Sequence, residues 1–349
     1  MSDSQSIPLL SDGEARLEGG RARNRFFKWV RNGVTWARGQ LRQITKNVTD
    51  ILIKALKRLI ALIMRYPDKS GQMEQVIDNP QTAKDFKQNL DIIIKESGLS
   101  GFFSESYLEE VAAKAATLRN DENNLLREPG QVTSLTKLAL YQPVLFCDRK
   151  SAQVELVKRI ASIATRAVPR NEGIYLRFIN KAADTLCDNL SKDEIEAKMQ
   201  FEPEGRTFLG QNLKAKILKP LVYNVIGEGQ RLERPLLILT ITDGCPDAPD
   251  TFRAEIGECG KYLVKNHYQK TAVRFNLSQI GSDKKATQFL NGLLGDESLK
   301  DVLHCTAEHL DAKFGELRKN EQEIEEWLLE ILKKPIEMKP LETDPTETV

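Results

Sequence analysis

The residues of this 349-residue chain whose types and spacing can do chemistry are few, and most are carboxylates at the ends of apolar runs. Leu236–Thr242 is a continuous apolar and β-branched run that stops at Asp243-Gly244. A run of that length and composition fits a strand buried on both faces. A parallel strand ending in Asp-Gly delivers a carboxylate to the carboxyl edge of an α/β sheet, where ligands bind. The same Asp243 can equally serve as the cap of the turn. A second strand-like run, Pro143–Cys147, ends at Asp148, so two carboxylates are expected at neighbouring strand ends. Such a pair can hold a hard cation for phosphoryl-transfer or hydrolytic chemistry. No nucleophile or base stands in sequence beside either, and Lys150 replaces the second Asp of an aspartyl-phosphate motif.

Other chemistries have weaker footing. His267, His304 and His309 share no metal-binding or catalytic spacing. Cys147, Cys187, Cys245, Cys259 and Cys305 are odd in number, widely separated and without a CxxC, a pattern expected of free thiols in a reducing compartment. No Gly-rich dinucleotide fingerprint, phosphate-loop lysine motif, GxSxG elbow or HExxH is present. The chain is accordingly expected to have no catalytic residues.

The elements that must carry these groups alternate. Strand patterns at Pro143–Cys147, Gly173–Asn180, Leu236–Thr242, Ala272–Ile280 and Val302–Cys305 are separated by helical patterns. These helices are expected at 153–168, 193–199, 214–225, 251–266 and 284–294, with a last one at 321–332 and a loop over 205–213. The expected fold is α/β, a mostly parallel doubly wound sheet with helices on both faces. An N-terminal helical segment precedes it: 67–140 reads as a helical module with helices at 81–96, 104–118 and 131–140, and 141–333 as the α/β domain. Residues 1–24 read as disordered and 334–349 as a polar tail.

The net charge of +1 hides an asymmetry. Residues 25–66 form a basic arm in which Leu41, Ile44, Val48, Leu52, Leu56, Leu59 and Ile63 make one helical stripe. Lys54, Lys57 and Arg58 lie off the stripe, and Phe26, Phe27, Trp29 and Trp36 precede it among further basic residues. The arm suits packing with a solvated basic face, and it also suits contact of those seven residues with an anionic membrane surface. Its apolar-rich segment Ile51–Met64 is too short and charged to span a bilayer, and no secretory pattern precedes it, so an intracellular, cytoplasmic protein with an option of peripheral membrane association is expected. Basic and aromatic residues occur together without a nucleic-acid motif, and no nucleic-acid partner is expected.

The order of elements and loops resembles a von Willebrand factor A domain of the intracellular, fungal type. The resemblance rests on YQPVLFCD (Tyr141–Asp148), GIYLRFIN (Gly173–Asn180), EGRTFLGQNL (Glu204–Leu213), RPLLILTITDGCPD (Arg234–Asp247) and VRFNLSQIGSDKKATQFLNGL (Val273–Leu293). It implies a Rossmann-like sheet and a non-enzymatic role in binding or scaffolding a protein partner. It also implies a metal-ion-dependent adhesion site holding Mg²⁺, for which hydroxyl and carboxylate oxygens are suitable donors. Carried over residue by residue, Asp148 matches the first ligand, Thr207 the second loop and Asp243 the third. The DxSxS of the first loop is replaced by Asp148-Arg149-Lys150-Ser151-Ala152, which leaves Ser151 out of phase as a substitute ligand. An ammonium about 4 Å from a bound cation repels it by about 1 kcal/mol in water and several times more in a drier site. The expected site is therefore an impaired one, with Asp148, Ser151, Thr207 and Asp243 as its metal set. Arg149, Lys150, Arg206 and Asp247 are the residues expected to meet the partner.

Overall fold

The computed structural model describes residues 75–147, 154–181, 187–200, 206–306 and 308–338. The expected disordered stretch 1–24 and basic arm 25–66, with Phe26, Phe27, Trp29, Trp36, Lys54, Lys57 and Arg58, lie outside them, as do Asp148, Arg149, Lys150 and Ser151.

Five strands, β1 (Gln142–Cys147), β2 (Tyr175–Phe178), β3 (Leu236–Thr242), β4 (Val273–Gln279) and β5 (Leu303–Thr306), form one sheet in the order β2-β1-β3-β4-β5. Every pairing between them is parallel, with Leu145 beside Leu239 and Leu239 beside Asn276 in register. β3 lies at the centre, and all seven of its residues are buried. Its side chains alternate between two apolar cores: Leu237, Leu239 and Ile241 face one, Leu236 and Ile238 the other. That division is the physical reason the run is apolar throughout, because a strand covered on both sides has no solvent face for polar residues. The fold is α/β with a Rossmann-like parallel sheet.

Among the described residues ten helices cover the sheet. On the first face lie α1 (Ala83–Glu96), α2 (Glu105–Asn120), α3 (Pro129–Ala139), α4 (Val154–Ala164) and α5 (Lys192–Lys198), together with α9 (Leu310–Leu317) and α10 (Glu321–Glu337). The second face carries α6 (209–227), α7 (Pro249–Lys265) and α8 (Lys284–Leu294). Helices α1–α3 share one continuous apolar cluster with the sheet, through residues such as Phe86, Val111 and Leu135.

Local signals account for most helix starts. Thr82 and Asp85 form a reciprocal capping box at α1, and the Ser104, Asp283 and Asn320 side chains accept amide hydrogen bonds at α2, α8 and α10. Pro129 and Pro249 stand in the first turns of α3 and α7 rather than between elements, so both helices begin two residues earlier than expected. Proline suits that position because its missing N–H would have no helical partner there. Helix α9 was not expected at all, and α10 continues past Leu332 through Pro335 to Glu337.

Buried polar groups tie the last helix to the sheet. The Asn276 amide donates to the Ile331 carbonyl at 3.2 Å, and Ser278 Oγ bridges to Thr306 Oγ1 at 3.0 Å. Arg166 of the segment after α4 grips Glu325 of α10 with two bonds of 2.5 and 2.7 Å. Among the described residues no helix is long and apolar enough to cross a membrane.

Candidate functional site at the carboxyl edge of the sheet

In the order β2-β1-β3-β4-β5 the chain goes one way from β1 to β2 and the other way from β3 onward. The crevice between the carboxyl ends of β1 and β3 is the topological switch point, where ligands of such sheets bind. Asp243 follows β3 directly and is half-buried at this edge. The turn that holds it is closed locally: the Gly244 amide donates to Thr242 Oγ1 at 3.5 Å, and that hydroxyl donates to the Gly244 carbonyl at 3.2 Å. Asp148, the other strand-end carboxylate, follows β1 and lies outside the described residues.

The second loop is brought to the same edge by two hydrogen bonds. The Thr207 amide donates to Asp247 Oδ2 at 2.9 Å, and the Asp247 amide donates to the Thr207 carbonyl at 3.1 Å. These bonds fix residues 206–208 against the stretch after Asp243. Both Arg206 and Asp247 are exposed, and neither has an oppositely charged ion-pair partner among the described residues. The site thus presents one cation and one anion close together.

The support beneath the loops comes from a close helix crossing. A Cβ on Gly210 would lie 2.4 Å from the Thr251 carbonyl carbon and 2.5 Å from the Phe252 amide nitrogen. Only a hydrogen on that face lets the first turn of α6 meet the first turn of α7. The sequence reading missed Gly210, because it placed the residue in a loop.

Helix α6 is itself unusual. Leu209–Leu213 is α-helical, Lys214–Tyr223 takes wide π-type turns with Pro220 inside, and Asn224–Gly227 returns to α. In such turns the amide five residues on is the partner, so proline at 220 has none to offer the Ala215 carbonyl. The next carbonyl, of Lys216, accepts from Arg177 Nε of β2 at 3.2 Å. In return Lys216 Nζ donates to the Phe178 and Ile179 carbonyls at 2.9 and 2.7 Å. Arg177, 4% exposed, also pairs with Asp188 at 2.5 Å. The widened helix is thereby stapled to the carboxyl end of β2, beside the switch point. The signal for this was present as Lys-Pro inside an apolar periodic run.

Of the expected metal set, Thr207 and Asp243 are described, and their hydroxyl and carboxylate are donor types that suit a hard cation. Asp148 and Ser151 lie outside the described residues, and sequence puts Lys150 and Ala152 where two serine donors belong. Among the described residues no group of three or more His, Cys, Asp and Glu side chains is placed to hold a metal.

The remaining candidates are scattered. His304 is in β5, His309 precedes α9, and His267 follows α7 with φ of 65°. Cys147, Cys187, Cys259 and Cys305 are buried and Cys245 is half-buried. Burial pushes the Cys259 and Cys305 thiols up to about 12, which keeps them protonated and unreactive. Compared with known families and with curated proteins, the chain matches no family model and no curated sequence.

Proposed function

We propose that the chain is a non-enzymatic binding module of von Willebrand A type that holds a protein partner with the loops at the carboxyl edge of its sheet. The observation that carries the reading is the double hydrogen bond between Thr207 and Asp247, which ties the loop before α6 to the loop after β3 beside the switch point. A surface of two cross-braced loops on a buried parallel sheet is preorganised, which lowers the ordering cost of binding. The partner meets Arg149, Lys150 and Arg206 with acidic groups directly, and Asp247 with a donor. With two hydroxyl donors missing from the first loop, Asp148, Ser151, Thr207 and Asp243 give Mg²⁺ at most a weak foothold, and contact with the partner does not depend on it.

The test is photo-crosslinking in cells of the full chain, with the crosslinker at 206 and, as a control, at Glu228. One protein captured from position 206 and not from 228, lost in Arg149→Glu/Lys150→Glu and kept in chelator, supports the reading. Capture that is indifferent to those charges sinks it. Isothermal titration with Mg²⁺ and Mn²⁺ completes the test: saturable binding that disappears in Asp243→Ala would mean the metal site is intact, and the metal-free part of the proposal would fall.

A further inference from the structure

A cavity of about 740 Å³ opens at the opposite edge of the sheet from Asp243. Because all strands are parallel, the first residues of β1, β2 and β3 share one edge, and Gln142, Tyr175 and Leu236 all line this cavity. Its volume falls within the roughly 300–1,000 Å³ of small-molecule sites. One wall is aromatic: Phe103 stacks on Tyr107 with ring centroids 5.7 Å apart, and Phe102 lies 6.2 Å from Phe103. The facing wall is aliphatic, from Leu221 and Val225 of α6.

The polar groups are set unequally. Arg234 is 9% exposed and lines the cavity. One of its terminal nitrogens donates to Gln142 Oε1 at 3.3 Å and Glu172 Oε2 at 3.0 Å. The other donates to the Ala139 carbonyl at 2.8 Å and to the Tyr141 carbonyl. Its Nε has no accessible surface, so Arg234 is built into the wall rather than open to a ligand. At the rim Arg231 is exposed and reaches only the Gly101 carbonyl at 3.5 Å, whereas Arg170 is taken up by Glu110 at 2.6 Å. Exposed Glu233 is the one rim carboxylate with no ion-pair partner among the described residues, so the charge at the mouth is mixed. A flat ring slides between the aromatic and aliphatic walls, and a guanidinium binds a carboxylate with a planar fork.

We propose that this cavity is a binding site for a small planar aromatic carboxylate. The ring lies against Phe103 and Tyr107, and the carboxylate takes the Arg231 guanidinium. The site is separate from the partner-binding loops and uses none of their residues.

The probe is 2-naphthoate, titrated by its own fluorescence into the full chain, with neutral 2-naphthamide as the matched control. The expected result is saturable binding of 2-naphthoate at least about tenfold tighter than of 2-naphthamide, a difference of about 1.4 kcal/mol. Val225→Trp, which fills the cavity, should weaken both probes about tenfold or more. Arg231→Glu changes an exposed side chain and leaves folding intact; it should weaken 2-naphthoate about tenfold and leave 2-naphthamide unchanged. Three results overturn the proposal: no binding of 2-naphthoate up to about 5 mM, equal affinity for the two probes, or binding that survives both substitutions.

Discussion

Thr207 and Asp247 hold one another twice, side chain to backbone at 2.9 Å and backbone to backbone at 3.1 Å, across forty positions of sequence. The carboxylate bond is the one a substitution can remove. Asp247→Ala should cost about 1 kcal/mol in urea unfolding, the usual net worth of one such bond. The larger effect should be local, with amide exchange at 206–208 accelerated while β3 stays protected. Unchanged exchange at those amides would show that the backbone bond alone holds the loop.

The Gly210 crossing admits a sharper experiment, because the helix behind it contains its own control. Gly210→Ala drives a methyl into the Thr251–Phe252 backbone and should cost about 1–3 kcal/mol or more. Gly257→Ala lies within α7 with nothing within 4 Å of its added carbon and should stabilise by about 0.5–1 kcal/mol. Opposite signs in guanidinium unfolding confirm the contact; equal effects would mean that α6 can slide to accommodate the methyl.

Lys216 supplies the terminal carbonyls of the β2 end with a cation. Lys216→Met keeps the length of the side chain and removes the donor. It should cost about 1–3 kcal/mol, measured by thermal or urea unfolding, because the Phe178 and Ile179 carbonyls are left short of a partner. Lys216→Arg should recover part of that loss.

Stability should also depend on pH through His304. Burial, and then the charge of Lys334, hold its imidazole below the ordinary value of 6.5. The unfolded chain therefore takes up a proton more readily than the folded one as pH falls below about 6.5. The contribution of neutral His304 is complete above that pH and is lost progressively as pH drops toward the folded value. A second decline sets in lower, where Glu321, held down chiefly by its hydrogen bonds from Arg159, begins to protonate. Denaturant midpoints from pH 7.5 to 5.5 should fall in the native protein and stay flatter in His304→Gln. Parallel curves would assign the pH dependence to other groups.

How much of this was legible beforehand follows from the range of the forces involved. β3 was plain because its apolar run is dictated by burial on both sides, a property of each residue taken alone. β2 was harder: its outer residues pair only briefly, so the strand shrinks to Tyr175–Phe178, and Arg177 inside it is tolerable only because Asp188 and the Lys216 carbonyl receive its charge. Helices α3 and α7 were expected two residues late, since proline, which ends helices, also begins them. Pro220 is a local signal of irregularity in α6, whereas the contact of its Lys216 carbonyl with Arg177 of β2 is one that no local pattern announces. The edge position of Asp243 was legible, whereas the brace that positions Thr207 was not. Least visible was the cavity around Arg234, whose walls are drawn from separate segments between Phe102 and Leu236.

Both outermost strands, β2 and β5, have four residues each. The start of β2 is covered further by the antiparallel bridge between Ile174 and Leu190, and Gly173 has no room there for a side chain against the Leu190 carbonyl. Short, covered margins give an extended peptide little backbone on which to continue the sheet. Recruitment by strand addition, and runaway self-association by the same route, are thus discouraged at once. Residues of the rim loops can be exchanged while the buried scaffold stays as it is.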